Sequence, residues 1–112
     1  MALQLALQFA KNNPNKEIKI LNCSGGITHN RMIPFKDIKH QYIDVFCPEN
    51  IQDYMGDFKK RCKPGMVILD GVNCIIMGAN QRVGLGELLI TLKEKGWSII
   101  VTNLIQGKLE VE

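Results

Sequence analysis

Asp70 is the residue best placed to do chemistry. It closes the apolar run Met66-Val67-Ile68-Leu69 and is followed by Gly71-Val72-Asn73. Four apolar residues without alternation, two of them β-branched, predict a strand buried on both faces of a parallel sheet. An acid at the carboxyl end of such a strand stands where open α/β sheets place ligands. A carboxylate there can hold Mg²⁺ through water, provided that a glycine-rich loop and its lysine offset the nucleotide's phosphate charge. The spacing G-x-x-x-x-G-K-[S/T] for such a loop occurs nowhere in the chain. Without it, Asp70 alone repels a triphosphate. The competing role is structural: capping nearby amides or pairing with a basic neighbour. The residue type leaves both open.

A second run, Trp97-Ser98-Ile99-Ile100-Val101, repeats the form and ends in Thr102-Asn103. Between the two runs, Glu87 to Lys95 is patterned as a helix and Gly96 closes it. This predicts a strand-helix-strand unit with polar groups at both strand tips. Ahead of that helix, Gly78 to Gly86 reads as a glycine-rich loop containing Asn80, Gln81 and Arg82. Amides and a guanidinium can touch phosphates. One charge, however, supplies little of the counterion-release affinity on which single-strand binding depends. The plainer reading is a turn.

The remaining candidates are weaker. Lys59, Lys60, Arg61 and Lys63 end a helix, where positive charge favours the dipole and is ordinarily solvated. His29 and Arg31 follow the Gly25-Gly26 turn, and His40 beside Tyr42 has no partner pattern. Cys23, Cys47, Cys62 and Cys74 form no C-x-x-C pair and no Cys/His ligand spacing, which argues against zinc. Buried, reduced thiols of an intracellular protein are the simpler reading. Trp97 suits either a core or an interface centre.

Further elements must position these residues. Ala2 to Asn12 carries Leu3, Leu5, Ala6, Phe9 and Ala10 at helical spacing, and Asn12-Asn13-Pro14 ends it. Ile18 to Cys23 predicts a strand running into Ser24-Gly25-Gly26, and Tyr42 to Phe46 a third strand. Glu49 to Lys63 predicts a helix with Ile51, Tyr54, Met55 and Phe58 inward, stopped by Pro64-Gly65. Thr28 to Lys39 is a short helix around Arg31 or a loop. A helix opens the chain with no strand before it, although helices in parallel sheets connect two strands. A sheet lacking an inner strand exposes edges that accept pairing from elsewhere.

Composition sets the frame. At 112 residues, 46% apolar and 22% charged, with a net charge of +3, the chain suits one globular domain spanning 1–112. The weak positive charge is compatible with nucleic acid without being diagnostic of it. Met1-Ala2-Leu3-Gln4 opens without basic residues, and Gln4 and Gln8 interrupt the first apolar segment, so it reads as neither a signal peptide nor a membrane span.

In order and spacing, four pieces resemble the RecA-type recombinase core, especially its eukaryotic and archaeal branch and their paralogues. Ala2 to Ala10 resembles the helix after the phosphate loop, and Met66 to Asp70 the Walker B strand. Gly86-Glu87-Leu88-Leu89 resembles the segment after the first DNA loop, and Val101-Thr102-Asn103 the strand leading to the second. The departures are as telling. The phosphate loop and its strand are missing, and no acid follows Cys23-Ser24-Gly25-Gly26 where the family's catalytic glutamate stands. Leu104 replaces the phosphate-sensing glutamine, and Gln106 to Glu112 is a short tail in place of the second DNA loop.

The resemblance therefore implies an α/β, RecA-like parallel sheet sandwiched by helices and truncated at the phosphate-loop strand. It implies a non-catalytic subunit that heterodimerises with another recombinase paralogue and supports recombinase filaments in homologous recombination. Single-stranded DNA would be contacted indirectly, with Asn80, Gln81 and Arg82 as the possible DNA loop. Val67, Ile68, Leu69 and Asp70, together with Ile99, Ile100, Val101, Thr102 and Asn103, are the expected partner interface. No metal or cofactor of its own is expected, ATP and magnesium entering only through a partner. Localisation is expected to be nuclear or otherwise intracellular. Two other readings stand beside this one: an ATPase completed by a phosphate loop in trans or outside this sequence, and a small stand-alone single-strand-binding module.

Overall fold

The computed structural model describes residues 2–61, 63–72, 79–105 and 108–110, with backbone alone at Pro48, Glu49, Ala79, Gln81, 103–105 and 108–110. Four strands form one all-parallel sheet: β1 (Ile18–Asn22), β2 (His40–Asp44), β3 (Met66–Asp70) and β4 (Ser98–Val101), in the order β2-β1-β3-β4. Helix α1 (Ala2–Asn12) precedes β1, and α2 (His29–Met32) with a single 3-10 turn (Ile33–Phe35) joins β1 to β2. Helix α3 (Pro48–Arg61) joins β2 to β3, and α4 (Ala79–Glu94) joins β3 to β4. A short antiparallel pair, β5 (Asn103–Ile105) and β6 (Lys108–Glu110), follows. The chain is thus α/β, a parallel sheet flanked by helices.

Alternation along the strands divides the core in two. Ile18, Ile20, Met66 and Ile68 pack with Leu3 and Ala6 of α1 and with Phe35 of the 3-10 turn. Leu21, Val67 and Leu69 face the other way, towards Ile51, Met55 and Phe58 of α3 and Leu85 and Leu92 of α4. Trp97 belongs to this second cluster, its ring 6.1 Å from that of Phe58. Both faces of the inner strands are covered, so β1 is buried at every position and β3 at every position but Asp70.

The one charge inside a strand core is Lys19. Its side chain is 5% exposed and its Nζ lies 3.1 Å from Glu17, donates to Gln41 Oε1 at 2.9 Å and sits 5.1 Å above the Phe58 ring. The ammonium thereby has an anion, an acceptor and a π face to replace its water.

Two sequence expectations shift. Strand β2 spans His40–Asp44 and not Tyr42–Phe46; Phe46 is 83% exposed outside it. Pro48 opens α3, so the chain must already have left the sheet. Helix α4 begins at Ala79, two turns ahead of Glu87, so Asn80, Gln81 and Arg82 are helical and do not form a loop. Buried Leu85 anchors that early segment. Gly84 sits where α4 meets α3: a Cβ there would stand 3.2 Å from Gln52 Nε2. That glycine marks close helix packing, which a sequence pattern does not separate from a turn. The helix ends as its glycine suggests: Gly96 (φ 99°) donates to Lys93 O at 3.0 Å, and Trp97 N reaches back to Leu92 O at 3.1 Å.

These packings separate two glycine substitutions. Gly86→Ala adds a Cβ that meets nothing within 4 Å, and should raise stability by about 0.5–1 kcal/mol. Gly65→Ala drives its Cβ into the backbone carbonyl of Glu17, and should cost about 2 kcal/mol or more. Urea midpoints of the two variants check both signs.

Candidate functional site

Strands β1, β2 and β3 end in a polar residue and β4 is followed directly by one, Thr102, and the register aligns them. Asn22 is paired with Asp44 on one side and Asp70 on the other. The match of Leu69 to Val101 brings Thr102 beside Asp70. The row Asp44, Asn22, Asp70, Thr102 therefore runs across the carboxyl edge of the sheet. The β1–β2 connection leaves to one face and the two later crossovers to the other. The point where the strand order reverses lies between β1 and β3, where open α/β sheets place ligands.

Asp70 stands at that point. Its Oδ2 accepts the Ser24 hydroxyl at 3.0 Å and its Oδ1 accepts the Thr102 hydroxyl at 2.9 Å. One carboxylate thus ties the β1 loop to the end of β4. Both hydroxyls also accept backbone amides: Gly26 N donates to Ser24 Oγ at 3.0 Å, and Gly71 N to Thr102 Oγ1 at 2.9 Å. Gly71 holds φ at 69°, and a Cβ there would strike the Ser24 side chain. Only glycine fits that turn without displacing Ser24.

Asn22 is 4% exposed and organises the neighbouring half. Its Oδ1 accepts Gly25 N at 3.1 Å, closing the Ser24–Gly25 turn. Its Nδ2 donates to the Tyr42 hydroxyl at 2.6 Å and to Asp44 Oδ1 at 3.2 Å. The Tyr42 hydroxyl lies 3.0 Å from Asp44 Oδ1 and 3.2 Å from Ile27 O, its two available acceptors. Burial raises the Tyr42 pKa above its ordinary 10.0; the Asn22 amide works against this, while the Asp44 hydrogen bond and the charges of Asp44 and Asp70 add to it. Arg31, on α2, reaches back to the β1 loop, its Nη1 donating to Gly26 O at 3.3 Å. Among the described residues no three His, Cys, Asp or Glu side chains converge for a metal. Chemically, the arrangement is a hydrogen-bonded latch in which neutral donors occupy both Asp70 oxygens.

The expected interface residues divide sharply. Val67, Ile68 and Leu69 are fully buried, because β3 lies between β1 and β4 and is not an edge; they present nothing to a partner. Ile99, Ile100 and Val101 lie on β4, which ends the sheet, and Val101 is 40% exposed. Asn103 opens β5. Asn80 and Arg82 are exposed on α4, away from the latch residues in sequence and on a different element. Cys23 is buried and Cys47 half-buried, while Cys62 and Cys74 lie outside the described residues, as do Asn73, Gly78, Gln106 and Gly107. Asn22, Ser24, Tyr42 and Asp44 were not singled out by sequence reasoning. The usable signal was that each parallel strand ends on, or runs directly into, a polar residue.

No family model, no curated protein and no solved structure matches this chain. No helix among the described residues is long and apolar enough to cross a membrane.

With chelator present, Asp70→Asn should still lower the unfolding free energy by about 1–2 kcal/mol, because the latch loses one acceptor and gains a competing donor. A carboxylate serving only a metal would leave the chelated protein unaffected. In a Tyr54→Phe background, the absorbance titration of Tyr42 should have its midpoint above 10.0. The folded state then holds the phenolic proton more tightly than the unfolded chain. Its contribution to stability is full below the unfolded pKa and falls as pH rises through the folded one.

Proposed function

We propose that this chain is a non-catalytic, RecA-like subunit, completed at the outer edge of β4 by another recombinase paralogue. In that heterodimer it would support recombinase filaments in homologous recombination, in the nucleus, with single-stranded DNA contacted through the assembly. The observation that carries the reading is the state of β4. Ser98 N and Thr102 N bond back to Gly65 O and Leu69 O of the β3 side. Parallel pairing turns both backbone groups of a residue the same way, so Ile99 and Val101 direct their N–H and C=O outward. Among the described residues no strand pairs with them.

The two sheet edges are not alike. Strand β2 and its approach carry Lys39, Gln41 and Asp44, the polar and charged side chains that guard a solvent edge. From Trp97 to Gln106 there is no charge at all. An unguarded apolar edge is a pairing site.

Handedness supports the same edge. The β1–β2 crossover travels one way over the α1 face, and the β2–β3–β4 crossovers travel the other way over the opposite face. All three therefore share one hand, which for parallel strands is right-handed. A strand feeding α1 with that hand belongs on the open side of β4. A partner strand docked there in parallel would supply the place that the family's phosphate-loop strand occupies. Asp70, its oxygens engaged by Ser24 and Thr102, then acts as the latch that sets the end of β4, without nucleotide chemistry.

Co-expression with a candidate paralogue should give a co-purifying complex whose melting temperature exceeds that of the chain alone; identical melting and solubility in both states would sink the proposal. Val101→Pro removes an outward N–H and no bond to β3. It should weaken the complex about tenfold or more, equivalent to about 1.4 kcal/mol, while barely changing the melting of the isolated chain. Mg-ATP binding by the complex that disappears in Asp70→Asn would instead assign the chain to an ATPase completed in trans.

A further inference from the structure

On the opposite flank, a groove of ≈ 570 Å³ lies between β2 and the segment that leads into it, lined by His29, Met32, Ile33, Lys36, His40 and Tyr42. That volume falls within the roughly 300–1,000 Å³ typical of small-molecule sites. His40 and Tyr42 stand two apart on β2 and so share one face of the sheet. Both are held in place. His40 Nδ1 lies 2.7 Å from Ile38 O, and its ring centroid is 5.7 Å from that of Phe35. The Tyr42 hydroxyl is tied to Asn22.

The other wall is a helical stripe. His29, Met32, Ile33 and Lys36 follow the spacing i, i+3, i+4, i+7 across α2, the 3-10 turn and the residue that caps it. Phe35 is the residue this segment gives to the core, fully buried. Met32 is half-buried and Ile33 remains 59% exposed. The segment thus turns an apolar pair into the groove, between His29 and Lys36. Among the described residues, the lining carries one lysine and two histidines and no carboxylate.

We infer that this groove binds a small amphipathic anion, its apolar body against Met32, Ile33 and the His40 and Tyr42 rings and its charged group at Lys36 and His29. The inference does not depend on the partner proposed for β4. An aliphatic carboxylate and an aromatic phosphate share this chemistry, and the test separates them.

The full chain is titrated with anilinonaphthalenesulfonate, an apolar anion that fluoresces on burial, and in parallel with phenylnaphthylamine, its uncharged analogue. Saturable one-to-one binding of the sulfonate is expected. Lys36→Gln should weaken it about fivefold while leaving the neutral probe within about twofold, as loss of one attractive charge requires. Ile33→Glu, at an exposed position, should abolish binding of both, with an unchanged thermal midpoint showing that the fold is intact. Displacement by decanoate but not naphthyl phosphate identifies an acyl carboxylate, and the reverse an aromatic phosphate. Non-saturable fluorescence, equal loss of both probes in Lys36→Gln, or binding that survives Ile33→Glu would overturn the inference.

Discussion

Parallel strands bring all of their carboxyl ends to one side of the sheet, so whatever residues close them must be satisfied together. In this chain that constraint is met by a single row of side chains, with Asp70 at its centre. The carboxylate takes a hydroxyl from the β1 loop and another from the end of β4, and each hydroxyl in turn takes a backbone amide. Such coupled bonds in a partly dry setting fix geometry more firmly than their individual strengths suggest. The turn at Gly71, the Ser24–Gly26 turn and the exit of β4 are set by the same few atoms. Asn22 repeats the arrangement on the other side of the reversal point, tying β1 to Tyr42 and Asp44.

The same sheet explains the contrast between its two flanks. On the β2 side the chain spends polar residues on the edge and folds α2 and the 3-10 turn over one face. On the β4 side, Trp97 to Gln106 carry no charge. The buried inner strands need apolar residues on both faces, but an edge strand has no such need. The run Ile99-Ile100-Val101, half-exposed to exposed, has the composition of an inner strand while occupying an outer position. That mismatch between composition and place is what the proposed pairing resolves.

Much of the architecture could be read from sequence because its signals are local. The buried strand before Asp70, the proline-glycine stop before it and the Gly96 close of α4 each follow from residue types within one element. What could not be read depended on contacts between elements. Gly84 and Gly86 looked like loop punctuation, yet the segment is helical because Leu85 finds the core and Gly84 finds α3. Val67, Ile68 and Leu69 looked available as an edge only until strand order placed β3 inside. The latch was half legible: Asp70 was visible as a strand-end acid, and Thr102 as a polar tip. Ser24 and Tyr42 reach the row only through register, which a single sequence leaves undetermined.

Lys19 has a further consequence for how the chain finds this arrangement. If β1 slid by one position against its neighbours, every side chain on it would change face. Isoleucines would still meet apolar surroundings on either side. The ammonium would not: it would leave Gln41 and the Phe58 ring and sit beneath α1 among Leu3, Ala6, Met66 and Ile68. A lone cation in that position is far more costly than any methyl group misplaced there. A single buried lysine therefore works as an alignment key, making the slipped sheet unaffordable where hydrophobicity alone would have tolerated it.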